Sequence, residues 1–245
     1  MKIAVISDVH SNLTALEAVI KDIESQNIKS IACLGDILGY GPFPVESFEI
    51  VKDFCQIILK GNHDEACIND MIPFEFTRYA AEGIRFSKDK INDSIKEYMS
   101  KLPFTHLIEP LDTILCHGTY REPEKWNYIL NKQDAKHEIR HIPHRICLVG
   151  HTHIPMVYGS RGYLMDTLPD IIELDPKQKY IINVGSIGQP RDGDCRACYC
   201  ILDYESIGKV VINFRRIFYN IGLTAKAMKD AEISDYLSDR LYKGK

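Results

Sequence analysis

The chain has 245 residues, a formal charge of -4, and 45% apolar and 26% charged residues, which suits one large or two small soluble globular domains. The acidic balance argues against generic nucleic-acid binding, which needs a basic surface, but not against a nucleotide held through cations. No apolar stretch approaches the roughly 18 to 20 residues of a membrane span.

Ile3 to Ile6 opens the chain as the first of six short apolar runs that read as buried strands. Asp8 interrupts it too early for a signal peptide. From Asn12 to Gln26, Leu13, Leu16, Val19 or Ile20, and Ile23 fall at helical spacing, with Ser11 or Asn12 as the cap. The second strand runs from Ile31 to Leu34. A Gly/Pro-rich loop, Gly39 to Pro44, then turns into a helix over Val45 to Phe54, and the third strand spans Ile57 to Leu59. This β-α-β-α-β series predicts parallel pairing with right-handed crossovers.

From about Glu65 to Lys101 the spacing turns helical, bracketed by Pro73 and Pro103, and is expected to form an insertion, a lid candidate, over 65–102. Thr105 to Pro110 and Thr113 to Cys116 read as a hairpin, with Ile114 to Cys116 as the fourth run. Ile146 to Val149 and Tyr180 to Ile182 are the fifth and sixth. Helical spacing resumes over 222–242. No repeat or linker divides the chain, so a single domain over 1–245 is expected. Cys195, Cys198 and Cys200 have a C-x-x-C-x-C spacing, but Cys198 and Cys200 share one face of an expected strand and read as core. The eight cysteines, mostly within apolar runs, point to a reducing, cytoplasmic setting.

Each of the first five runs stops at a residue able to bind a metal. The stops are Asp8-Val9-His10, Gly35-Asp36, Gly61-Asn62-His63-Asp64, His117-Gly118 and Gly150-His151-Thr152-His153, while the sixth leads into Asn183-Val184-Gly185-Ser186. Ligands of open α/β sheets collect at strand ends, so the seven candidates point to one composite metal site. The donors are nitrogen and oxygen without sulfur. That set suits manganese or iron, with zinc or nickel as alternatives, better than calcium or magnesium.

In this order the five motifs resemble the calcineurin-like metallophosphoesterase superfamily. The resemblance implies an α/β fold, a four-layer α/β/β/α sandwich of two mixed sheets, and two divalent transition-metal ions. Asp8, His10, Asp36 and His153 would hold the first ion; Asp36 as bridge, with Asn62, His117 and His151, would hold the second. Water activated between the ions would attack a phosphoester. His63 would protonate the leaving group or stabilise the developing charge, with Asp64 fixing its tautomer. Coordination that takes water from pKa 15.7 to roughly 7 contributes about 12 kcal/mol towards hydroxide.

Ser7 to Asn12, Gly39 to Pro42 and Asn183 to Arg191 are similar to a bacterial and archaeal branch described as phosphodiesterases or diadenosine tetraphosphatases. On that basis Asn12, Tyr40 and Arg191 are expected at the substrate, Arg191 as a phosphate clamp. The substrate would be a phosphodiester or small phosphorylated metabolite, with dinucleoside polyphosphates among the candidates. Arg121, Trp126 and Tyr128 offer a face for a nucleobase, against ordinary packing of Trp126. His137 with His141, and His106 and His144, read as surface residues. Three rivals are a non-catalytic binding scaffold of the same fold, a nuclease and a protein Ser/Thr phosphatase. The last is disfavoured because Ile37-Leu38-Gly39-Tyr40 follows Asp36 where those enzymes carry an arginine. The sequence leaves the oligomeric state open.

Overall fold

The computed structural model describes residues 1–69, 71–164, 168–206 and 209–245. The first third alternates as expected: β1 (Lys2–Ile6), α1 (Leu13–Ser25), β2 (Ser30–Cys33), α2 (Pro44–Phe54) and β3 (Ile57–Ile58). Then follow α3 (Asn62–Ile68), α4 (Arg78–Lys90), α5 (Asp93–Ser100), β4 (Thr105–Ile108), β5 (Thr113–Cys116), α6 (Lys132–Glu138) and β6 (Ile146–Val149). The remainder is β7 (Met156–Gly159), β8 (Tyr163–Leu164), β9 (Ile171–Leu174), β10 (Tyr180–Asn183), β11 (Ala197–Ser206), β12 (Lys209–Ile217), α7 (Ile221–Asp230) and α8 (Asp235–Lys243).

Two mixed sheets result, ordered β3-β2-β1-β11-β12-β9 and β4-β5-β6-β10-β7-β8. The pairs β1–β2, β2–β3, β5–β6 and β6–β10 are parallel, while β1–β11 is antiparallel. Strand alternation makes the layers. Ile3 and Val5 of β1 meet Ile146 and Leu148 of β6 in the core between the sheets. Ala4 and Ile6 face outward onto α1 and α2 through Leu16, Val19, Phe48 and Val51. Cys147 and Val149 face Ala135 of α6 on the opposite side. The four-layer α/β/β/α sandwich is therefore present. Cys198 and Cys200 point into the inter-sheet core, as expected of strand residues.

The helical runs are more broken than the spacing suggests. The stretch read as one run from Glu65 starts earlier, at Asn62, and splits into three helices. Thr77 caps α4, its Oγ1 accepting from the Ala80 N–H at 3.2 Å, and Asn92 caps α5 through the Ile95 N–H at 2.9 Å. Ala66, Cys67, Ile84, Ile95 and Met99 share one core with α1 and α2, so these helices are built into the domain. The C-terminal run splits likewise into α7 and α8 around Glu232, whose φ of 57° ends the first helix. Among the described residues, no helix is long and apolar enough to cross a membrane.

Candidate metal centre

All seven candidate ligands lie at strand ends and are buried. Asp8 and His10 follow β1, Asp36 follows β2, Asn62 opens α3 beyond β3, His117 follows β5, and His151 and His153 follow β6. The structure gathers them into two groups that share Asp36. In each group the ligand atoms lie within 4.8 Å of one another: Asp8, His10, Asp36 and His153 in one, Asp36, His117 and His151 in the other. Asn62 joins the second, its Oδ1 3.2 Å from His117 Nε2.

Five of the seven, Asp8, His10, Asp36, His151 and His153, hold positive φ between 49° and 66°. Left-handed backbone costs a non-glycine residue on the order of 1–2 kcal/mol. It persists here because neighbouring chain fixes it. The Asp8 N–H donates to the Gly35 carbonyl at 3.0 Å and the His10 N–H to the Asp36 carbonyl at 2.9 Å. Asn183 at the end of β10 donates to the Gly150 carbonyl at 2.5 Å and braces the 150–153 loop. Two motif glycines are required by close approach. A Cβ on Gly61 would lie 2.1 Å from Asp36 Oδ1, and one on Gly150 2.5 Å from Asp8 Oδ2.

Each carboxylate splits its two oxygens between structure and cluster. Asp8 Oδ2 accepts from the His151 N–H at 3.0 Å, whereas its buried Oδ1 has no hydrogen-bond partner and lies 3.2 Å from His153 Nε2. Asp36 Oδ1 accepts from the His63 N–H at 2.8 Å. Its Oδ2 lies between His117 Nε2 at 3.3 Å and His10 Nε2 at 3.6 Å.

The imidazoles are oriented from behind by backbone carbonyls. His10 Nδ1 donates to Leu38 at 3.0 Å, His117 Nδ1 to Leu34 at 3.1 Å, His153 Nδ1 to Gln189 at 2.7 Å, and His151 Nε2 to Trp126 at 2.9 Å. A carbonyl can only accept, so the proton of each neutral ring sits on the outward nitrogen and the lone pair faces the cluster. His10 Nε2 and His153 Nε2 then oppose each other 3.1 Å apart. Two lone pairs at that separation, beside an unpartnered carboxylate oxygen, fit a cation between them.

The electrostatics agree. Burial opposes charge on Asp8 and Asp36, yet the surrounding imidazoles outweigh it and hold both carboxyls below the usual range. Burial pushes His10 well down and His151 down to about 3, and it lowers His153 together with the nearby Arg191. His117 alone rises, to about 9, because Asp36 overcomes the cost of burial. A proton there stands where the donors would otherwise meet a metal.

His63 lies against the cluster, its ring 4.6 Å from His10 and 4.7 Å from Tyr40, with Nδ1 buried and unpartnered. Burial lowers it to about 4, so the ring is neutral near pH 7. Asp64 departs from expectation: it does not touch the His63 ring. Oδ1 accepts from the Ile37 and Leu38 N–H groups at 2.9 and 3.0 Å, and Oδ2 from Gly61 at 3.0 Å. It ties the loop after β2 to the start of α3, and both of its oxygens are engaged by backbone N–H groups rather than by the His63 ring.

Asn12 is also corrected. Its Oδ1 accepts from the Ala15 N–H at 3.3 Å and from Thr224 Oγ1 at 3.0 Å, while Nδ2 donates to the Gly188 carbonyl at 2.9 Å. A buried amide committed to α1, α7 and the 188 turn has nothing to offer a substrate. Tyr40 and Arg191 do line a cavity of about 640 Å³ beside the cluster, together with Asn62, His63, Trp126 and His151. Trp126 packs on Phe104 with ring centroids 5.5 Å apart, and the Tyr128 ring stacks on His151 at 3.8 Å. His106, His137 and His141 are exposed, and His144 pairs with Asp112 at 2.9 Å. The sequence reading missed the carbonyls of Leu34, Leu38, Trp126 and Gln189, since backbone groups carry no sequence signal. It also missed Arg240 of α8, which lines the same cavity from a helix without a motif.

Residues 1–206 match the calcineurin-like phosphoesterase superfamily domain. The crystal structure of a metallophosphoesterase from Sphaerobacter thermophilus is similar over 100% of this chain and 99% of that one, with a TM-score of 0.87 and 36% identity. An uncharacterised protein of Methanocaldococcus jannaschii is 36% identical over 245 residues, 99% of this chain and 98% of its own length. Phosphodiesterase YfcE from Escherichia coli strain K12 is 23% identical over 234 residues, 91% of this chain and 98% of its own.

Proposed function

This chain belongs to the calcineurin-like phosphoesterase superfamily, and from there we propose that it is a binuclear metal-dependent hydrolase of phosphodiesters or small phosphorylated metabolites. The observation that carries the reading is the pair of inward Nε2 atoms on His10 and His153, 3.1 Å apart beside the unpartnered Asp8 Oδ1. The position of Asp36 Oδ2 between His10 and His117 supports Asp36 as the residue that two ions would share. The nitrogen and oxygen donor set favours manganese or iron, then zinc or nickel. When bound, such ions lower the pKa of water towards 7 and neutralise phosphate charge.

The chain's own groups do the rest. Asp8 and Asp36 enter already ionised, so no deprotonation of a carboxyl precedes metal binding. His117 must give up its proton first. In the net reaction phosphorus gains a bond to the oxygen of water and loses its bond to the leaving oxygen, which departs with a proton. His63 faces the cavity as a neutral ring with one N–H to offer. From that state it stabilises negative charge on the phosphoryl or leaving oxygen by hydrogen bonding. Full proton donation requires that it first gain a proton, which an adjacent phosphate favours. The eight free cysteines accord with a reducing, cytoplasmic setting.

The test is reconstitution of metal-stripped protein with manganese, iron, zinc or nickel, one at a time, and an assay with bis(p-nitrophenyl) phosphate. Nitrophenolate release should appear with at least one metal and vanish with chelator. Metal uptake without turnover of this ester or of a panel of phosphorylated metabolites would instead leave the non-catalytic scaffold.

A further inference from the structure

The cavity beside the cluster holds two guanidinium groups, those of Arg191 and Arg240, as well as Asn62, His63 and His151. Among the described residues, neither arginine has a side-chain carboxylate within 4.0 Å; the ion pairs of the chain involve other residues. Arg191 donates from Nη2 to Gln189 Oε1 at 2.9 Å, and its Nε is buried without a partner. Arg240 donates from Nε to the Lys245 carbonyl at 2.5 Å and lies over the Tyr236 ring, 5.7 Å from its centroid. Of the carboxylates in the lining, Glu65 is taken by Lys60 at 2.9 Å, and Glu75 is exposed.

Arg240 is not a free surface side chain. Leu237 and Leu241 of the same helix pack with Tyr40 and Ala80. Tyr236 stacks on Tyr79 of α4 at 4.0 Å, and Glu82 of α4 accepts from the Ser234 N–H at 2.6 Å just before α8. The helix is thus anchored while its arginine faces the cavity. Burial, and then Arg191, weaken the protonation of Arg240, as expected for like charges in one partly dry space. Two guanidinium groups lining one cavity with no side-chain carboxylate on either are relieved by an anion, and guanidinium matches phosphate oxygens in geometry.

We propose that Arg191 and Arg240 form a second anion subsite, which holds a phosphoryl group further along the chain from the one cleaved at the metal cluster. The preferred substrate class is then a phosphoanhydride chain, as in a nucleoside or dinucleoside polyphosphate, rather than a diester with one phosphate. A volume of about 640 Å³ accommodates such a molecule, and Phe76, Trp126 and Tyr128 in the lining supply flat apolar faces for a base. Arg191 lies within residues 1–206 and Arg240 on α8 beyond them, so the subsite pairs a residue of the shared family domain with one from the C-terminal helices. The inference deepens the hydrolase reading and rests on it for the word substrate.

The experiment is calorimetric titration of the metal-free protein with inorganic tripolyphosphate, which needs no catalysis. Wild type should bind it, and Arg240→Met and Arg191→Met should each weaken binding at least 10-fold, with Arg240→Lys falling between. Equal affinity in wild type and Arg240→Met overturns the subsite, as does no binding by wild type. Should a variant fail to fold, phenylglyoxal modification of wild type followed by mass spectrometry decides instead. Tripolyphosphate should protect Arg191 and Arg240, and an unprotected Arg240 overturns the proposal. For the substrate class, the kcat/KM ratio of diadenosine tetraphosphate to bis(p-nitrophenyl) phosphate should fall at least 10-fold in Arg240→Met, and an unchanged ratio contradicts it. Failure of the hydrolase reading would show separately, as no turnover with any metal while tripolyphosphate still bound.

Discussion

At Asp36 one carboxylate oxygen holds the start of α3 and the other faces two imidazoles. This division of labour recurs at Asp8. The side chains that gather at the cluster were legible in the sequence because each is of a metal-binding type at the end of an apolar run. What orients them was not, since the partners are main-chain carbonyls. Asp64 shows the limit of reading by adjacency: it follows His63 in the chain, yet helical geometry turns it to three backbone N–H groups instead. The role of His63 is testable on its own. His63→Ala should lower turnover of bis(p-nitrophenyl) phosphate by about 10²-fold or more, with two metals still bound per chain. Unchanged kcat would remove His63 from the reaction.

The element boundaries carry the next lesson. Apolar runs with β-branched residues located every strand that leads to a candidate ligand, because buried strands leave that pattern. The helical stretches were found but not their breaks, since the stops at Thr77, Asn92 and Glu232 depend on caps and local φ rather than on spacing. Asn12 belongs to this scale. It joins the start of α1 to Thr224 of α7, so it cross-links elements far apart in sequence. Asn12→Ala should cost about 1–3 kcal/mol of stability in denaturant unfolding, from the lost cap and the stranded buried hydroxyl. KM for the diester should stay within about 2-fold. A large rise in KM at unchanged stability would return Asn12 to the substrate.

Across the whole molecule, the cluster takes Asp8, His10, Asp36 and Asn62 from the sheet containing β1, and His117, His151 and His153 from the sheet containing β5. Metals bound there would tie the two layers, and the metal-free protein should depend on pH through the same groups. His117, raised from 6.5 to about 9, contributes stability that is full below pH 6.5 and lost as pH rises through about 9. His63 and His151, lowered to about 4 and about 3, contribute stability present above pH 6.5 and lost as pH falls towards those values. The melting temperature of the metal-free protein should therefore peak near pH 6.5, and His117→Asn should flatten the alkaline arm. A steady rise from pH 6.5 to 9 would contradict the proton on His117. Metal affinity should climb over that same interval as the competing proton leaves.

The most direct measurement is elemental analysis of reconstituted, desalted protein, comparing wild type with Asp36→Asn. Sharing of Asp36 between the two donor groups predicts two metals per chain in wild type and loss of the second in the variant. No bound transition metal in wild type, or two retained by Asp36→Asn, would contradict it.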